Sequence, residues 1–220
     1  MWRVSSVLTL VGLSQPHKAL DPMYRERGTA IHAAAEALAM GYDPAVVPEY
    51  QGYIDALRLW FRTESPTIIA IERRIVNRLK KLTGRIDFVV IIDGKVWIVD
   101  VKTGSPMIHY RWQTALYAIL VCDDGELLHK VMEVLCGGEM AGQSTLLPKA
   151  QDIGRAILYL NNETGRPKFV PQTDPNDIYI ARAALALCQI RHENGLLEFV
   201  DKENPDDDEP VVQVAQDQPF

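Results

Sequence analysis

The chain has 220 residues, 47% of them apolar, which is enough to bury a sizeable core as one domain. No apolar run reaches the roughly 18 residues of a membrane span, and the N-terminus has no signal-peptide pattern, so we expect a cytoplasmic protein without a membrane partner. The net charge of −6 would argue against a polyanionic ligand if the negative charge were spread over the whole chain. The three cysteines are far apart, which favours a reducing compartment and argues against a zinc site.

The excess negative charge lies at the C-terminal end. Residues 201–220 contain seven acids and one lysine, whereas the first 200 residues contain 22 acidic and 22 basic side chains. We expect residues 1–200 to form one domain and residues 201–220 to be a disordered acidic tail. Such a tail is more often a solubilising segment than a competitor for a basic groove.

The N-terminal part predicts a short first element followed by a helix. Residues 1–14 form a short strand or helix in this interpretation, and residues 15–21 a loop. An alanine-rich helix then runs from about Thr29 to Met40, with Gly28 or Thr29 as its cap and Gly41 as its stop. A histidine within such a helix, here His32, more often packs than binds a ligand.

A second helix and a strand are predicted next. Residues 49–63 are amphipathic, with apolar side chains at helical spacing that we assign to the core. Residues 67–76 predict a strand that carries Glu72 near its middle. From the residues alone, an ion pair with a neighbouring arginine is the interpretation of this glutamate.

A cluster of basic residues surrounds the end of this strand. It contributes six bases within 13 residues, and two further arginines precede the alanine-rich helix. A solvated face is the usual interpretation of such a run, but a track for the phosphate backbone of a nucleic acid is slightly favoured here. The candidate nucleic-acid-binding residues are Arg25, Arg27, Arg73, Arg74, Arg78, Lys80, Lys81 and Arg85.

A β-hairpin is the strongest local prediction. Two β-rich runs flank the pair Asp93-Gly94, which is typical of a two-residue type I′ turn. This turn sets a register in which Asp87 lies opposite Asp100 and Arg85 opposite Lys102.

The charged residues of the hairpin lie together at the end away from the turn. Asp87, Asp100 and Lys102 would share one face, where opposed carboxylates repel each other. A cation between the carboxylates would offset that repulsion, and oxygen ligands suit Mg²⁺ or Mn²⁺. A nearby lysine could orient or deprotonate an attacking water. The alternative is a solvated sheet edge carrying ordinary charges.

The C-terminal half predicts further helices and one strand. A helix from about His109 to Val121 projects Gln113 and Tyr117 from one side. Beyond it the predicted elements are a helix at 126–135, a strand at 156–160 and a helix at 177–192, while residues 137–150 match no pattern.

Three segments resemble successive motifs of the PD-(D/E)XK nuclease superfamily, in particular its RecB-like branch with the phage exonucleases. They are Gly84-Arg-Ile-Asp87, Asp100-Val-Lys102-Thr-Gly104 and Gln113-Thr-Ala-Leu-Tyr117. The first acid follows Gly-Arg-Ile instead of a proline, a departure common in this branch. The motif-bearing part spans about residues 24–120.

The resemblance implies an α/β fold with a central mixed β-sheet flanked by helices and the hairpin at its middle. It implies a Mg²⁺- or Mn²⁺-dependent deoxyribonuclease, in the first place an exonuclease of recombination or repair in a bacterial or phage-infected cell. A structure- or sequence-specific endonuclease with the same core is the alternative, as is a nuclease-derived DNA-binding subunit that needs a partner. DNA, single- or double-stranded, is the implied substrate. A homo-oligomer and a recombination partner protein stay open.

The resemblance also assigns roles to residues. His32, Asp87, Asp100 and the backbone carbonyl of Val101 would hold the metal, since Arg25-Glu-Arg-Gly-Thr-Ala-Ile-His32 is similar to a helical element that precedes the hairpin in RecB-like nucleases. Asp87, Asp100 and Lys102 would be catalytic, with Gln113 and Tyr117 contacting substrate or supporting the lysine, and Glu72 an additional candidate. Several RecB-like relatives bind an iron–sulfur cluster through four cysteines, which Cys122, Cys136 and Cys188 cannot supply.

Overall fold

The computed structural model describes residues 1–15, 22–136 and 148–197. A six-stranded mixed sheet forms its framework, with helices against both faces, which confirms the predicted α/β fold class. The strands are β1 (Trp2–Arg3), β2 (Thr67–Asn77), β3 (Leu82–Ile92), β4 (Lys95–Lys102), β5 (Gly154–Asn161) and β6 (Arg166–Pro171). The helices are α1 (Val4–Leu10), α2 (Pro22–Ala39), α3 (Gln51–Glu64), α4 (Tyr110–Cys122), α5 (Gly125–Leu135) and α6 (Asn176–Glu193), and a 3₁₀ turn at Pro48–Tyr50 precedes α3.

The β3–β4 hairpin lies in the middle of the sheet, as predicted. Strand β3 pairs antiparallel with β2 on one side and with β4 on the other. Strand β4 then pairs in parallel with β5, which pairs antiparallel with β6. The short β1 runs parallel to the beginning of β3.

The turn and the register of the hairpin are confirmed over most of its length. Asp93 and Gly94 both have positive φ, 49° and 72°, as a type I′ turn requires. The backbone pairs run from Ile92 and Lys95 to Phe88 and Val99.

The strands then separate, because β3 stays with β2 while β4 follows β5. The β3–β4 register ends at Phe88 and Val99, so the predicted pairing of Arg85 with Lys102 does not form, and Arg85 pairs with Arg74 on the β2 side.

Each face of the sheet buries its own apolar core. Helices α1, α4, α5 and α6 cover the face that receives Val89, Ile91 and Ile98. Helices α2 and α3 cover the opposite face, which receives Phe88, Val90 and Val99. Burial on both faces explains why the hairpin strands are almost continuously apolar.

Helix α2 is longer than predicted. It begins at Pro22, so Gly28 and Thr29 lie inside the helix and neither caps it. Proline is favourable in a first helical turn, where its missing N–H needs no partner. The predicted stop is confirmed: Gly41 has φ +84° and its N–H donates to the carbonyl of Leu38.

The other predicted elements occur within a few residues of their expected bounds, but β6 was not predicted. Its segment contains Pro167 and Pro171, which are tolerated in an edge strand and weaken the β pattern. The predicted loop at 15–21 lies outside the described residues except for Gln15, and so do the predicted acidic tail at 201–220 and most of segment 137–150. None of the helices in the described part of the chain combines the length and the apolar character of a membrane span.

Candidate active site

The candidate site lies where β3 and β4 separate. Strand β3 contributes Asp87 and strand β4 contributes Asp100 and Lys102, while β2, α2 and α4 add side chains from around this point. The added residues are Glu72, His32, Gln113 and Tyr117.

Three of these side chains form a potential metal-binding group. His32 Nδ1 lies 3.2 Å from Glu72 Oε1 and 3.3 Å from Asp87 Oδ1. One potential ligand atom from each of the three side chains lies within 4.8 Å of the other two. Among the described residues, these three therefore meet the distance requirement for a metal site. One imidazole and two carboxylates suit a divalent cation.

The backbone of Glu72 is strained. Its φ is +44° within strand β2, a backbone conformation that residues other than glycine rarely adopt. Such strain is frequent at functional sites, and here it accompanies a carboxylate that contacts His32 of helix α2 on the sheet face.

The charges in this group favour a protonated histidine when the protein holds no metal. Burial lowers the pKa of His32, but the carboxylates of Asp87 and Glu72 outweigh burial and raise the pKa to about 10. Burial raises the pKa of Asp87, but His32, Lys102 and the N–H of Val101 hold it below the ordinary value. The Val101 N–H donates to Asp87 Oδ2 at 2.6 Å.

Asp100 and Lys102 form a second, buried pair. Lys102 Nζ lies 2.7 Å from Asp100 Oδ2. Burial, with the charge of Asp87 added, raises the pKa of Asp100 to about 6, although Lys102 lowers it. Burial lowers the pKa of Lys102, but the two aspartates outweigh burial and raise it above the ordinary value, so the ammonium form is favoured.

Asp100 Oδ2 also has unused capacity for a ligand. Although Lys102 is close, this buried oxygen receives no hydrogen bond of acceptable angle from the described residues. An under-coordinated buried carboxylate oxygen beside the three-residue group is consistent with a site for a cation.

Helix α4 supports Asp100 from the other side. Gln113 Nε2 donates to Asp100 Oδ1 at 3.3 Å and to the Tyr117 hydroxyl oxygen at 3.1 Å. Tyr117 packs closely on β3, where a Cβ atom at Gly84 would approach its Cε1 to 2.8 Å. The glycine of the first motif therefore allows the tyrosine of the third motif to reach the site.

Tyr110 is a contact of Lys102 that the sequence did not reveal. Its ring centroid lies 4.9 Å from Lys102 Nζ, within the range of a cation–π contact. The sequence feature that could have identified this contact is the position of Tyr110, one helical turn before Gln113 on the same helix.

The candidate nucleic-acid-binding residues do not form one surface. Arg73 forms ion pairs with Asp124 and Glu126, and Lys80 with Asp123. The remaining residues of the run lie on or near the β2–β3 hairpin, where Arg74, Arg78 and Arg85 are exposed and Lys81 is half-buried.

The two arginines of α2 lie elsewhere. Arg25 is exposed, whereas Arg27 is half-buried and its Nε donates to Thr103 Oγ1 at 3.2 Å just after β4. The Arg27 guanidinium also lies over the rings of Tyr24 and Tyr53.

The chain matches one family model and 18 chains of solved structures. Residues 46–143 match the family model of the PD-(D/E)XK nuclease superfamily. The crystal structure of LHK-Exo in complex with dAMP is 12% identical, with 88% of each chain covered and a TM-score of 0.37. The crystal structure of SSO0001 is 16% identical, with 86% of this chain and 84% of that chain covered and a TM-score of 0.32. Among curated proteins, none matches the chain.

The matched residues include all three motifs and Glu72, whereas His32 lies before them. The resemblance that the motifs suggested is thereby confirmed at the level of the superfamily: the segment 46–143 that carries them matches the model of the PD-(D/E)XK nuclease superfamily.

Proposed function

We propose that the protein is a metal-dependent nuclease that hydrolyses phosphodiester bonds of DNA. The observation that carries this proposal is the convergence of a histidine and two carboxylates with a buried aspartate–lysine pair where the central strands separate. The match of residues 46–143 to the model of a nuclease superfamily supports the same conclusion.

His32, Glu72 and Asp87 would hold the metal, and Asp100 would join them through its Oδ2, which also faces the Lys102 ammonium. Mg²⁺ and Mn²⁺ are the candidates, and the imidazole ligand favours Mn²⁺. When bound, the cation supplies Lewis-acid stabilisation of the phosphate and a more acidic water. The Val101 carbonyl stays a proposed ligand on the resemblance alone.

Lys102 has the properties of a cationic group rather than of a base. Because the two aspartates raise its pKa, it carries a proton at neutral pH and cannot accept another. We assign it to orienting the attacking water and to stabilising negative charge that develops on the phosphate. This favours orientation of the water over its deprotonation by the lysine.

Gln113 and Tyr117 hold Asp100 in place. The amide of Gln113 donates to both Asp100 and the Tyr117 oxygen, so it fixes the carboxylate relative to helix α4. Their proposed role is therefore support of the carboxylate, in preference to direct contact with substrate.

An exonuclease of recombination or repair is the first candidate, because the motifs resemble the RecB-like branch. The direct test incubates the protein with linear and circular DNA, single- and double-stranded, in Mn²⁺, Mg²⁺ or EDTA. We expect metal-dependent shortening of linear DNA from its ends, with circular DNA intact. Cleavage of circles would identify an endonuclease, and no cleavage under any condition would contradict the nuclease proposal.

The variant Asp87→Asn ties the activity to this site. It keeps the shape of the side chain and removes one charge from the metal group, so metal-dependent cleavage should disappear. Asp93→Asn, in the exposed turn of the same hairpin, is the matched control and should retain wild-type cleavage. Equal activity of the two variants would place the chemistry elsewhere.

A further inference from the structure

The strand alternation of β2 divides the basic run into two sets. Arg73 and Arg74 are neighbours in sequence, and successive side chains of a strand point to opposite faces of a sheet. Ile75 belongs to the core under α1 and α4, on the same face as Arg73, whereas Glu72 contacts His32 of α2 on the other face. Arg74 therefore shares the face of the candidate metal group.

Arg73 and Lys80 already have carboxylate partners. Arg73 Nη2 lies 3.0 Å from Glu126 and 3.3 Å from Asp124, and the Lys80 ammonium lies 2.5 Å from Asp123. These three acids stand at the junction of α4 and α5. The contacts connect the β2–β3 hairpin to those helices, which gives both bases a structural explanation without a nucleic acid.

Arg74 and Arg85 have no comparable explanation. They are directly opposed in the antiparallel pairing of β2 and β3, and both are exposed. Opposed residues have Cβ atoms about 4.5–5.5 Å apart, where like charges destabilise a sheet. Arg74 forms no ion pair among the described residues. Arg85 has a weak one, with its Nε 3.8 Å from Glu72 Oε2, a longer distance than in the ion pairs of Arg73 and Lys80.

The opposed arginines are adjacent to the candidate metal group. Arg74 is two residues from Glu72 and Arg85 is two residues from Asp87, on the same two strands. Two residues of a strand span about 6.6 Å. The two arginines therefore lie on the same sheet face as the candidate metal ligands. They are in the part of the β2–β3 hairpin where β3 no longer pairs with β4.

We propose that Arg74 and Arg85 together bind one backbone phosphate of the DNA strand next to the phosphate that is cleaved. Guanidinium groups bind phosphate oxygens through paired N–H donors, and a phosphate between them replaces their mutual repulsion with attraction. This inference rests on the proposed nuclease function and specifies which bases of the run serve it.

The test compares Arg74→Gln and Arg85→Gln with the matched control Arg73→Gln. Initial rates of cleavage of a labelled linear DNA are measured in Mn²⁺ at several salt concentrations. Loss of one charge-assisted contact should raise KM by about tenfold in each of the first two variants. The slope of log kcat/KM against log salt should become shallower by about 0.7–0.9, the contribution of one phosphate contact.

Arg73→Gln should keep the wild-type KM and salt slope. It should instead lower the melting temperature, because it removes the ion pairs of Arg73 with Asp124 and Glu126. Arg74→Gln should leave the melting temperature of the DNA-free protein equal or higher, because it removes a repulsion.

The outcomes separate the two proposals. If the wild type cleaves DNA and the Arg74 and Arg85 variants keep its KM and slope, the phosphate-binding pair is wrong and the nuclease proposal stands. If Arg73→Gln raises KM as much as the other two, the division of the run by strand face is wrong. If the wild type cleaves no DNA, the nuclease proposal fails and the pair fails with it.

Discussion

Lys102 is held between a carboxylate and an aromatic ring. Its ammonium lies 2.7 Å from Asp100 Oδ2 and 4.9 Å from the centre of the Tyr110 ring. A lysine side chain has many rotamers in solution, and ordering it has an entropic cost. Here the buried aliphatic part of the side chain and the two contacts offset that cost, so the ammonium group is already positioned in the substrate-free protein.

Replacing Lys102 by alanine should remove this prepared charge. We expect Lys102→Ala to lower kcat by about 100- to 10,000-fold, the range typical of a positioned catalytic group. Binding of Mn²⁺, measured by calorimetry, should persist because the three-residue metal group is unchanged. Lys95→Ala is the control, since Lys95 also lies over an aromatic ring but at the other end of β4. Loss of metal binding with the fold intact would contradict the assigned role.

Tyr110 should act through Lys102 rather than on the substrate. Tyr110→Phe keeps the ring and should keep kcat within about twofold, because a cation–π contact needs the ring face and not the hydroxyl. Tyr110→Leu removes the ring, and a loss of about 1 kcal/mol in positioning corresponds to about a fivefold lower kcat. KM should be unchanged in both variants. Equal kcat for Phe and Leu would contradict the positioning role.

At the scale of elements, prediction from sequence succeeded where structure is local. The β3–β4 hairpin follows from Asp93-Gly94 and from the apolar runs that flank it, all within about 20 residues. The start of α2 was misplaced because Gly28 suggested a cap, whereas the segment before it is compatible with helix. Whether a glycine starts a helix or lies inside a longer one depends on what the helix packs on, which the local pattern does not contain.

Contacts between distant segments could not be predicted in this way. Glu72 enters the metal group because β2 pairs with β3 and because the Glu72 backbone adopts a positive φ, neither of which leaves a local pattern. His32 was assigned only through the resemblance to a family. Its 3.3 Å contact with Asp87 depends on how α2 packs across the sheet.

A buried ion-pair network shows the same limitation at the start of α4. Arg155 of β5 and Arg111 of α4 both contact Asp177, which is fully buried at the start of α6. Arg155 Nη1 also donates to the carbonyl oxygen of Arg111 at 2.8 Å. These three residues fix the first turn of α4, which carries Tyr110 and is followed by Gln113.

Asp177→Asn should therefore destabilise the protein strongly. It leaves the buried Arg155 guanidinium without its counter-charge, and breaking a buried pair from one side typically costs about 3–5 kcal/mol. Asp174→Asn is the matched control, because Asp174 contacts the same Arg111 from a half-exposed position. Urea unfolding measures both, and the Asp174 variant should lose much less. Equal losses would contradict the importance of burial.

For the molecule as a whole, the candidate metal group would couple folding to protonation and to metal binding. His32 lies between two carboxylates, and its raised pKa favours a protonated ring that takes the place of a cation when no metal is bound. Binding of a metal at the same atoms must displace that proton, because only the neutral ring is a ligand. Metal and proton therefore compete, and the competition extends over the whole range in which His32 stays protonated.

The stability of the metal-free protein should depend on pH through His32. The pKa of His32 is raised from 6.5 to about 10, so the folded state binds more protons than the unfolded state between these values. Its contribution to stability is fully present below the lower value and is lost as the pH rises towards the upper value. In EDTA, the melting temperature should therefore fall from about pH 6.5 to about pH 10.

The same linkage makes the effect of metal grow with pH. The increase in melting temperature on adding Mn²⁺ should be larger at pH 9 than at pH 7, because fewer protons then compete for His32. His32→Gln cannot titrate in this range, so the difference between its melting temperature and that of the wild type isolates the histidine. If that difference is constant with pH in EDTA, His32 is not protonated between the carboxylates, and the competition between proton and metal is excluded.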